Sequence, residues 1–199
     1  MNRARSLVTL IALATLVAGM IWALQRQAAP RIQAQQLAIQ ARTLNQVLPP
    51  GEYEHQSLAL SDAELTHSRL VQGYRMLRQG QPAAVILQSL TQGYGGPLQL
   101  LIAIEANGKL LGVKTLSQQE TPGLGARIAE EGAGWLSGFL GQSRSETSDT
   151  AWNLKQDGGQ FDQMAGATIT SRAAVEAIHD ALRYFDEHRE HLLGAPAHE

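Results

Sequence analysis

A run of 20 uncharged residues near the amino terminus constrains this chain more than any other feature. The run covers residues 6–25 and lies between Arg5 and Arg26. At a rise of about 1.5 Å per residue, a helix of this length spans about 30 Å, which is the thickness of a bilayer's hydrocarbon core. The run is therefore long enough for a transmembrane helix, and a cleavable signal peptide is the competing interpretation.

The end of the run favours an uncleaved anchor. Signal peptides usually have shorter apolar runs that end in small residues at an A-x-A-like site. Here the run ends in Met20-Ile21-Trp22-Ala23, which places a tryptophan at the depth of the membrane interface. We predict a single transmembrane helix over residues 1–26.

The flanking arginines predict the orientation of this anchor. Arg3, Arg5 and the amino terminus precede the run, and Arg26 and Arg31 follow it. Cytoplasmic flanks carry the excess of positive charge. The balance favours an N-terminus in the cytoplasm and a C-terminal domain outside it.

The composition excludes several classes of function. Three lysines and a formal net charge of -2 leave no basic patch for nucleic acid. The chain has no cysteine, so disulfides, thiolate-held iron–sulfur clusters, CxxCH haem attachment and cysteine nucleophiles are excluded. The patterns GxSxG, HExxH, GxGxxG and GxxxxGK[ST] are also missing, which leaves no case for the enzymes they mark. A redox role would require a cofactor that thiolates do not hold.

The rest of the chain divides into a stalk and one domain. Residues 27–50 are rich in glutamine and alanine and end at Pro49-Pro50-Gly51, which predicts a weakly amphipathic helical stalk. Residues 51–199 are predicted to form the domain. Within it, runs typical of strands cover residues 69–77, 83–90, 98–106 and 109–116. The last two are joined by Asn107-Gly108, for which we expect a type I′ turn with positive φ at both residues.

Helices are predicted mainly after these hairpins. Ser61 and Glu64 fit a capping box for a short helix over residues 58–65. A second helix is expected from residue 125 through residue 140. Ser171 is predicted to cap a final helix, closed by Gly194, whose shared apolar face is Val175, Ile178, Leu182 and Phe185. Strands grouped ahead of helices predict an α+β fold of antiparallel hairpins packed with helices.

The segment DQMAGATITS, residues 162–171, is the first candidate site. Gly166 permits a close approach to the backbone, and the hydroxyls of Thr168, Thr170 and Ser171 fall within four residues. The helix that follows offers unpaired N–H groups and the positive end of its dipole. This pattern is typical of a phosphate site. The alternative is a capped turn that leads into a surface helix.

The segment ETPGLG, residues 120–125, is the second candidate. Pro122 fixes its φ angle, and Gly123 and Gly125 allow positive φ or close contact. A planar ring could lie against such a backbone. The alternative is a turn that starts a helix.

For four further residues, an interpretation without a ligand is favoured. His188 and His191 are spaced three apart on a charged helix without a carboxylate frame, so we predict solvated side chains and no metal site. Trp135 and Trp152 either stack on an aromatic cofactor or pack in the core, and the core is the commoner use.

Together these motifs resemble the G subunits of the Rnf/Rsx electron transport complexes and, more distantly, the C subunit of the sodium-translocating quinone reductase. The shared segments are GYGGPL at 93–98, IEANGKLLGV at 104–113, ETPGLG at 120–125, Trp135 and Phe139, and DGGQFDQMAGATITS at 157–171. They occur in the family's order and spacing, and the resemblance covers the whole chain. ETPGLG followed by D-x-x-x-GAT-x-T is far more specific than either piece alone.

The resemblance implies a covalent flavin. In that family FMN is attached through its phosphate, as a phosphoester, to the threonine that matches Thr168. A dedicated flavin transferase performs the attachment outside the cytoplasm with FAD as donor, and Asp162 matches the first residue of its recognition motif. The chain departs from the family at Ala165, where serine or threonine is usual, while the Gly166-Ala167 pair is present.

The resemblance also implies the other contacts of the cofactor. The residues that it places near the isoalloxazine ring are Thr121, Gly123, Leu124 and Gly125. Further candidates for contact with the phosphate are Thr170 and Ser171, beside Gly166 and Ala167.

The function implied is that of a membrane-anchored flavoprotein within an ion-translocating oxidoreductase of the bacterial inner membrane. Its FMN domain would lie in the periplasm and pass electrons to neighbouring subunits, with no catalytic residues or substrate pocket of its own. Two alternatives stay open. One is an anchored assembly module without flavin, for which Ala165 is the argument. The other is the C subunit of the quinone reductase, whose members are usually longer.

Overall fold

The computed structural model describes residues 13–22, 26, 39, 41–60, 65–130 and 134–194. The chain divides into two compact units, Met1–Thr43 and Leu44–Glu199. In the first unit, residues 13–22 are helical and their large apolar side chains are exposed. Within the described ranges no helix is both long and apolar enough to cross a membrane. Most of the predicted anchor and stalk lies outside these ranges.

The second unit contains a five-stranded antiparallel sheet in which each strand pairs with the next one along the chain. The strands are β1 (Glu54–Leu58), β2 (Arg69–Arg78), β3 (Gln81–Gln92), β4 (Pro97–Glu105) and β5 (Leu110–Ser117). The four predicted runs correspond to β2 through β5, which confirms the hairpins. We did not predict β1, because its sequence EHQSL is mostly polar and exposed.

The turns of the β2–β3 and β4–β5 hairpins differ in type, and only the second had a predicted type. Between β2 and β3, Gln79 and Gly80 have φ angles of +53° and +77°, the signs that a type I′ turn requires. Between β4 and β5 the positive φ, +94°, belongs to Gly108 alone, and the N–H of Glu105 donates to the carbonyl of Lys109 at 2.8 Å. The loop therefore has three residues and a left-handed glycine. The type I′ turn predicted for the Asn-Gly pair is wrong.

Both faces of the sheet are covered. On one face, Leu87 and Ile102 belong to the cluster that packs under the long helix α1 (Thr168–Glu187). On the other face, Ile86 and Leu101 pack with apolar residues of segment 44–48. Strands that are buried on both faces have continuous apolar sequences instead of alternating ones, as β3 and β4 do.

Helix α1 has the predicted apolar face but an earlier start. Its four predicted core positions are buried, which confirms the face. The prediction of Ser171 as N-cap is wrong: Ala167 holds the N-cap position, and Ser171 is fully buried in the first turn. A short helix α2 (Arg189–Leu193) follows and ends at Gly194, whose φ is +77°.

The helix predicted over residues 125–140 is not formed. The described residues there make two short 3-10 helices, Gly125–Ala129 and Trp135–Phe139, and two more follow at Asp149–Ala151 and Lys155–Asp157. Six glycines fall between residues 123 and 141, and each disfavours an α-helix by about 1 kcal/mol relative to alanine. Residues 131–133 and residues 61–64 of the predicted capping box lie outside the described ranges.

Aromatic rings give this region its packing. Phe139 and Phe161 stack with centroids 4.5 Å apart, and Trp135 meets Phe139 edge-on at 5.0 Å. Trp152 is 2% exposed and contacts the rings of Phe161 and His179. Trp152 is thus a core residue, and it ties the 3-10 region to α1.

Close packing at Gly112 gives the first prediction. A Cβ atom at this position of β5 would lie 2.5 Å from the carbonyl oxygen of Val47. Because that obstacle is backbone, Gly112→Ala must displace segment 44–48, and we expect the free energy of unfolding to fall by about 1–3 kcal/mol. Urea unfolding of the full chain, followed by circular dichroism, measures the change.

The matched control is Gly138→Ala, because a Cβ atom there has nothing within 4 Å. We expect its unfolding midpoint to stay at the wild-type value. Equal midpoints for both variants would contradict the tight contact between β5 and Val47.

Candidate functional site

The two candidate segments line one cavity, although about forty residues separate them in the sequence. The cavity has a volume of about 330 Å³, and the loop between β3 and β4 completes it. Volumes of about 300–1,000 Å³ are typical of sites for small molecules and cofactors. The lining residues are Tyr94, Glu120, Thr121, Leu124, Gly125, Gly166, Ala167, Thr168, Ile169 and Thr170.

Seven of the nine residues predicted to bind the cofactor are in this lining, and Gly123 and Ser171 are not. Gly123 has a φ of +79° and lies in a turn in which the N–H of Leu124 donates to the carbonyl of Thr121 at 3.1 Å. The glycine is needed for the turn, whose residues Thr121 and Leu124 line the cavity.

The turn before α1 directs the start of that helix toward the cavity. Gly166 has a φ of +73°, and the N–H of Ala167 donates to the carbonyl of Met164 at 3.0 Å. The hydroxyl of Ser171 accepts a hydrogen bond from the N–H of Met164 and donates to the carbonyl of Ala167, both at 2.9 Å. Through these two hydrogen bonds, Ser171 stabilises the turn.

The N-terminus of α1 has no side-chain cap. Its N-cap residue, Ala167, has no side-chain group that could accept a hydrogen bond from the first turn. The first N–H groups of a helix have no partner within the helix, and the helix dipole makes this end attractive to an anion. Thr168, the first residue of α1, is half-buried in the cavity wall at this end.

Glu120 joins all three segments, and sequence reasoning gave it no role. Its side chain is buried; Oε1 accepts a hydrogen bond from the N–H of Gly95 at 3.0 Å, and Oε2 accepts one from the hydroxyl of Thr170 at 2.7 Å. A Cβ atom at Gly93 would lie 2.2 Å from Oε1, and one at Gly125 would lie 2.4 Å from Oε2. The glycines on both sides are therefore required by the carboxylate.

Apolar side chains form the rim of the cavity. Tyr94, Leu124 and Ile169 are 72%, 44% and 50% exposed, and each comes from a different segment. A Cβ atom at Gly166 would lie 2.8 Å from Leu124 Cδ2, so the two candidate segments touch here. Such a rim suits a flat, partly apolar ligand.

Tyr94, Glu120 and Ile169 are the lining residues that we did not predict. Each lies in or beside a quoted motif: Glu120 begins ETPGLG, Ile169 follows Thr168, and Tyr94 is in GYGGPL. The sequence signal that could have identified these three residues is their position within glycine-rich motifs. A motif does not show where a side chain points, so it did not separate these residues from their neighbours.

Asp162 lies outside the cavity in an exposed loop. Its carboxylate accepts a hydrogen bond from Lys155 Nζ at 2.6 Å, and its backbone carbonyl accepts one from Trp135 Nε1 at 2.6 Å. The indole thus fixes the backbone while the carboxylate remains at the surface. Ala165 is also exposed, in the turn that precedes Gly166.

The side chain of His191 is exposed, as predicted, whereas the prediction of a solvated side chain is wrong for His188, which is half-buried against Tyr184. The ring of His188 stacks on Tyr184 at 4.2 Å and hydrogen bonds to its carbonyl at 3.0 Å. The carbonyl of His191 accepts a hydrogen bond from Arg75 at 2.7 Å. Among the residues that the structure describes, no three His, Cys, Asp or Glu side chains are grouped to hold a metal ion.

Comparison with known proteins now connects this geometry to a family. The family model described as "FMN-binding domain" matches residues 93–183, which contain all three segments of the cavity. The G subunit of the ion-translocating oxidoreductase complex from Pseudomonas aeruginosa is 43% identical over 184 residues, which are 88% of this chain and 85% of the relative. The chain belongs to this family of G subunits. The resemblance drawn from the motifs is thereby confirmed.

Other members of the family give the same result. The G subunit of the ion-translocating oxidoreductase complex from Shewanella loihica is 39% identical over 84% of this chain and 82% of its own length. That of Vibrio cholerae serotype O1 is 38% identical over 84% of this chain and 83% of its own length. The likeness therefore extends well beyond the residues that line the cavity.

The second prediction concerns the role of Glu120 in this G subunit. Glu120→Ala would leave the N–H of Gly95 and the hydroxyl of Thr170 without their buried acceptor. A buried donor without a partner costs about 1–3 kcal/mol, so we expect a marked loss in the free energy of unfolding of the full chain. Glu146→Ala is the control, because Glu146 is 56% exposed and bonds Lys109 at the surface, where a pair contributes about 0–1 kcal/mol. Equal losses would show that Glu120 is not the link between the segments.

Proposed function

We propose that this G subunit is a membrane-anchored flavoprotein that carries electrons within an ion-translocating oxidoreductase complex. Its cofactor would be FMN, attached through its phosphate to Thr168. The observation that carries the proposal is the meeting of the ETPGLG segment and the GAT segment in one cavity, with Thr168 in its wall. The match of residues 93–183 to the FMN-binding domain family supports the identity of the ligand.

The residues of the cavity fit both ends of FMN. The uncapped start of α1 suits the phosphate, because its free N–H groups and dipole favour negative charge. The apolar rim and the backbone at Thr121 and Gly125 suit the flat isoalloxazine ring. Glu120 would act as a positioning residue, because its buried carboxylate bonds Thr170 and so ties the ETPGLG segment to the start of α1.

Thr168 is the best acceptor among the three hydroxyls of the GATITS segment. Thr170 and Ser171 are fully buried, and their hydroxyls already bond Glu120 and Ala167. Thr168 is half-buried, which makes it the least buried of the three residues. In the attachment, Thr168 Oγ1 bonds to the FMN phosphorus of FAD, the phosphoanhydride bond breaks, AMP leaves, and the hydroxyl proton is released.

The redox chemistry belongs to the flavin, which accepts and donates electrons, while the protein supplies position and surroundings. We therefore assign no catalytic residue to this chain. A covalent link suits a carrier outside the cytoplasm, because a flavin lost there is not easily replaced.

The proposal includes a topology and partners. Residues 1–26 would form the transmembrane anchor, 27–50 the stalk and 51–199 the FMN-binding domain, with the N-terminus cytoplasmic and the domain periplasmic. The uncharged run of residues 6–25 and the exposed apolar side chains of the helical residues 13–22 support the anchor. The partners would be the other membrane and peripheral subunits of the complex, and the flavin transferase during maturation.

The third prediction tests the attachment site. When the full chain is produced together with a flavin transferase, intact-protein mass spectrometry should show one FMN minus water. The adduct should map to the tryptic peptide of residues 156–172, and fragmentation should place it on Thr168 and not on Thr170 or Ser171.

Thr168→Val should abolish the adduct with the fold unchanged, whereas Thr150→Val, at an exposed position outside the cavity, should retain it. Wild-type labelling of Thr168→Val would refute the site.

The fourth prediction concerns recognition by the transferase. Asp162→Ala should lower the labelled fraction without unfolding the protein, because the carboxylate is exposed and bonds only Lys155 among the residues that the structure describes. Lys155→Ala is the control, since it removes the ion pair and keeps the carboxylate. If both variants label equally, the carboxylate is not what the transferase recognises.

A further inference from the structure

Tyr94 is exposed to an extent that its surroundings do not explain. Five large apolar or aromatic side chains are exposed in the described part of the Leu44–Glu199 unit, and three of them line this one cavity. Tyr94 is the most exposed of the five, at 72%, and it is the only aromatic residue in the lining that the structure describes. A large aromatic ring contributes to stability or binding mainly when its apolar surface is covered.

The loop that carries Tyr94 is held firmly. The N–H of Gly95 donates to Glu120 Oε1 at 3.0 Å, the N–H of Gly93 donates to the carbonyl of Gly96 at 2.9 Å, and the N–H of Tyr94 approaches Thr170 Oγ1 at 3.4 Å. A Cβ atom at Gly95 would lie 2.1 Å from the carbonyl oxygen of Gln119. The backbone of the loop therefore packs directly on the residues that follow β5. The tyrosine therefore extends from a fixed base at the edge of the cavity.

The partners of this loop are the residues that also organise the proposed flavin site. Glu120 begins the segment assigned to the ring, and Thr170 follows Thr168 by two residues in α1. The same hydrogen bonds that connect these two segments thus set the place of Tyr94. A ligand that fills the cavity would cover the tyrosine ring.

We propose that Tyr94 is a flavin-contact residue whose phenol ring packs against the isoalloxazine ring of the FMN attached to Thr168. This inference rests on the proposed function and adds an aromatic wall to the site. The contact would bury the exposed apolar surface of Tyr94, and offset or edge-on contact between aromatic rings is favourable beyond that burial.

Flavin fluorescence tests the contact directly. A phenol or indole that touches an isoalloxazine ring quenches its fluorescence by giving an electron to the excited ring and taking it back, so no net chemistry occurs. The full chain, produced with a flavin transferase and purified in detergent, is measured folded and then in denaturing urea. The ratio of folded to unfolded emission removes differences in flavin content, and mass spectrometry gives the labelled fraction.

Four chains make the test specific. The wild type should be strongly quenched when folded, and Tyr94→Leu, which keeps an apolar side chain, should be severalfold brighter at the same labelled fraction. Tyr94→Trp should stay quenched, because an indole also donates an electron. Tyr53→Leu is the matched control, because Tyr53 packs with the residues on the sheet face opposite α1, and its emission ratio should equal that of the wild type.

The outcomes separate the two proposals. If the wild-type chain carries no adduct despite an active transferase, the proposed function fails, and the contact of Tyr94 fails with it. If Tyr94→Leu is fully labelled and as dim as the wild type, the contact alone is overturned and the exposed tyrosine is free for a protein partner. Equal brightening of Tyr94→Leu and Tyr53→Leu would overturn it as well.

Discussion

The buried carboxylate of Glu120 is the interaction on which the site depends. One of its oxygens accepts a hydrogen bond from the loop between β3 and β4, and the other accepts one from the first turn of α1. A carboxylate in such a position is costly unless its oxygens are paired, and here both have donors. The pairing draws three distant segments into one wall and explains why Gly93 and Gly125 have no side chain.

The sheet supplies the rigid support for this arrangement. Its central strands are covered on one face by α1 and on the other by segment 44–48. Packing on the first of these faces holds α1 against the sheet, and its first turn is bonded through Thr170 to Glu120, which follows β5. Together, the core and the Glu120 hydrogen bonds place an uncapped helix end beside a glycine-rich backbone, which is the geometry that a phosphate-bearing ring ligand needs.

Thr168 differs from Thr170 and Ser171 in its burial and in its hydrogen bonds. Thr170 and Ser171 are fully buried, and their hydroxyls donate to Glu120 and to the carbonyl of Ala167, whereas Thr168 is only half-buried. Three hydroxyls that look equivalent in the sequence therefore belong to residues that differ in burial. This difference supports the proposed attachment, because a modifying enzyme needs an acceptor that it can reach.

The sequence by itself determined the α+β class, the four long strands and the apolar face of α1, and it marked the ETPGLG and GATITS segments as candidate sites. These features follow from local patterns: runs of apolar residues, hydrophobic periodicity and motifs with glycines at fixed spacing. Family resemblance added the cofactor and the residues expected to contact it, seven of which line the cavity, but it did not show that Ser171 is buried.

Only the tertiary structure decided which side chains face the cavity. Tyr94, Glu120 and Ile169 were missed because a motif gives the order of residues and not their direction. The Asn-Gly turn and the helix expected over residues 125–140 were wrong because loop length and the many glycines outweighed the local signals. The sequence determines which residues are present near the site, whereas long-range contacts, above all those of Glu120 with Gly95 and Thr170, decide how they meet. Such contacts join residues far apart in the chain, and no local pattern encodes them.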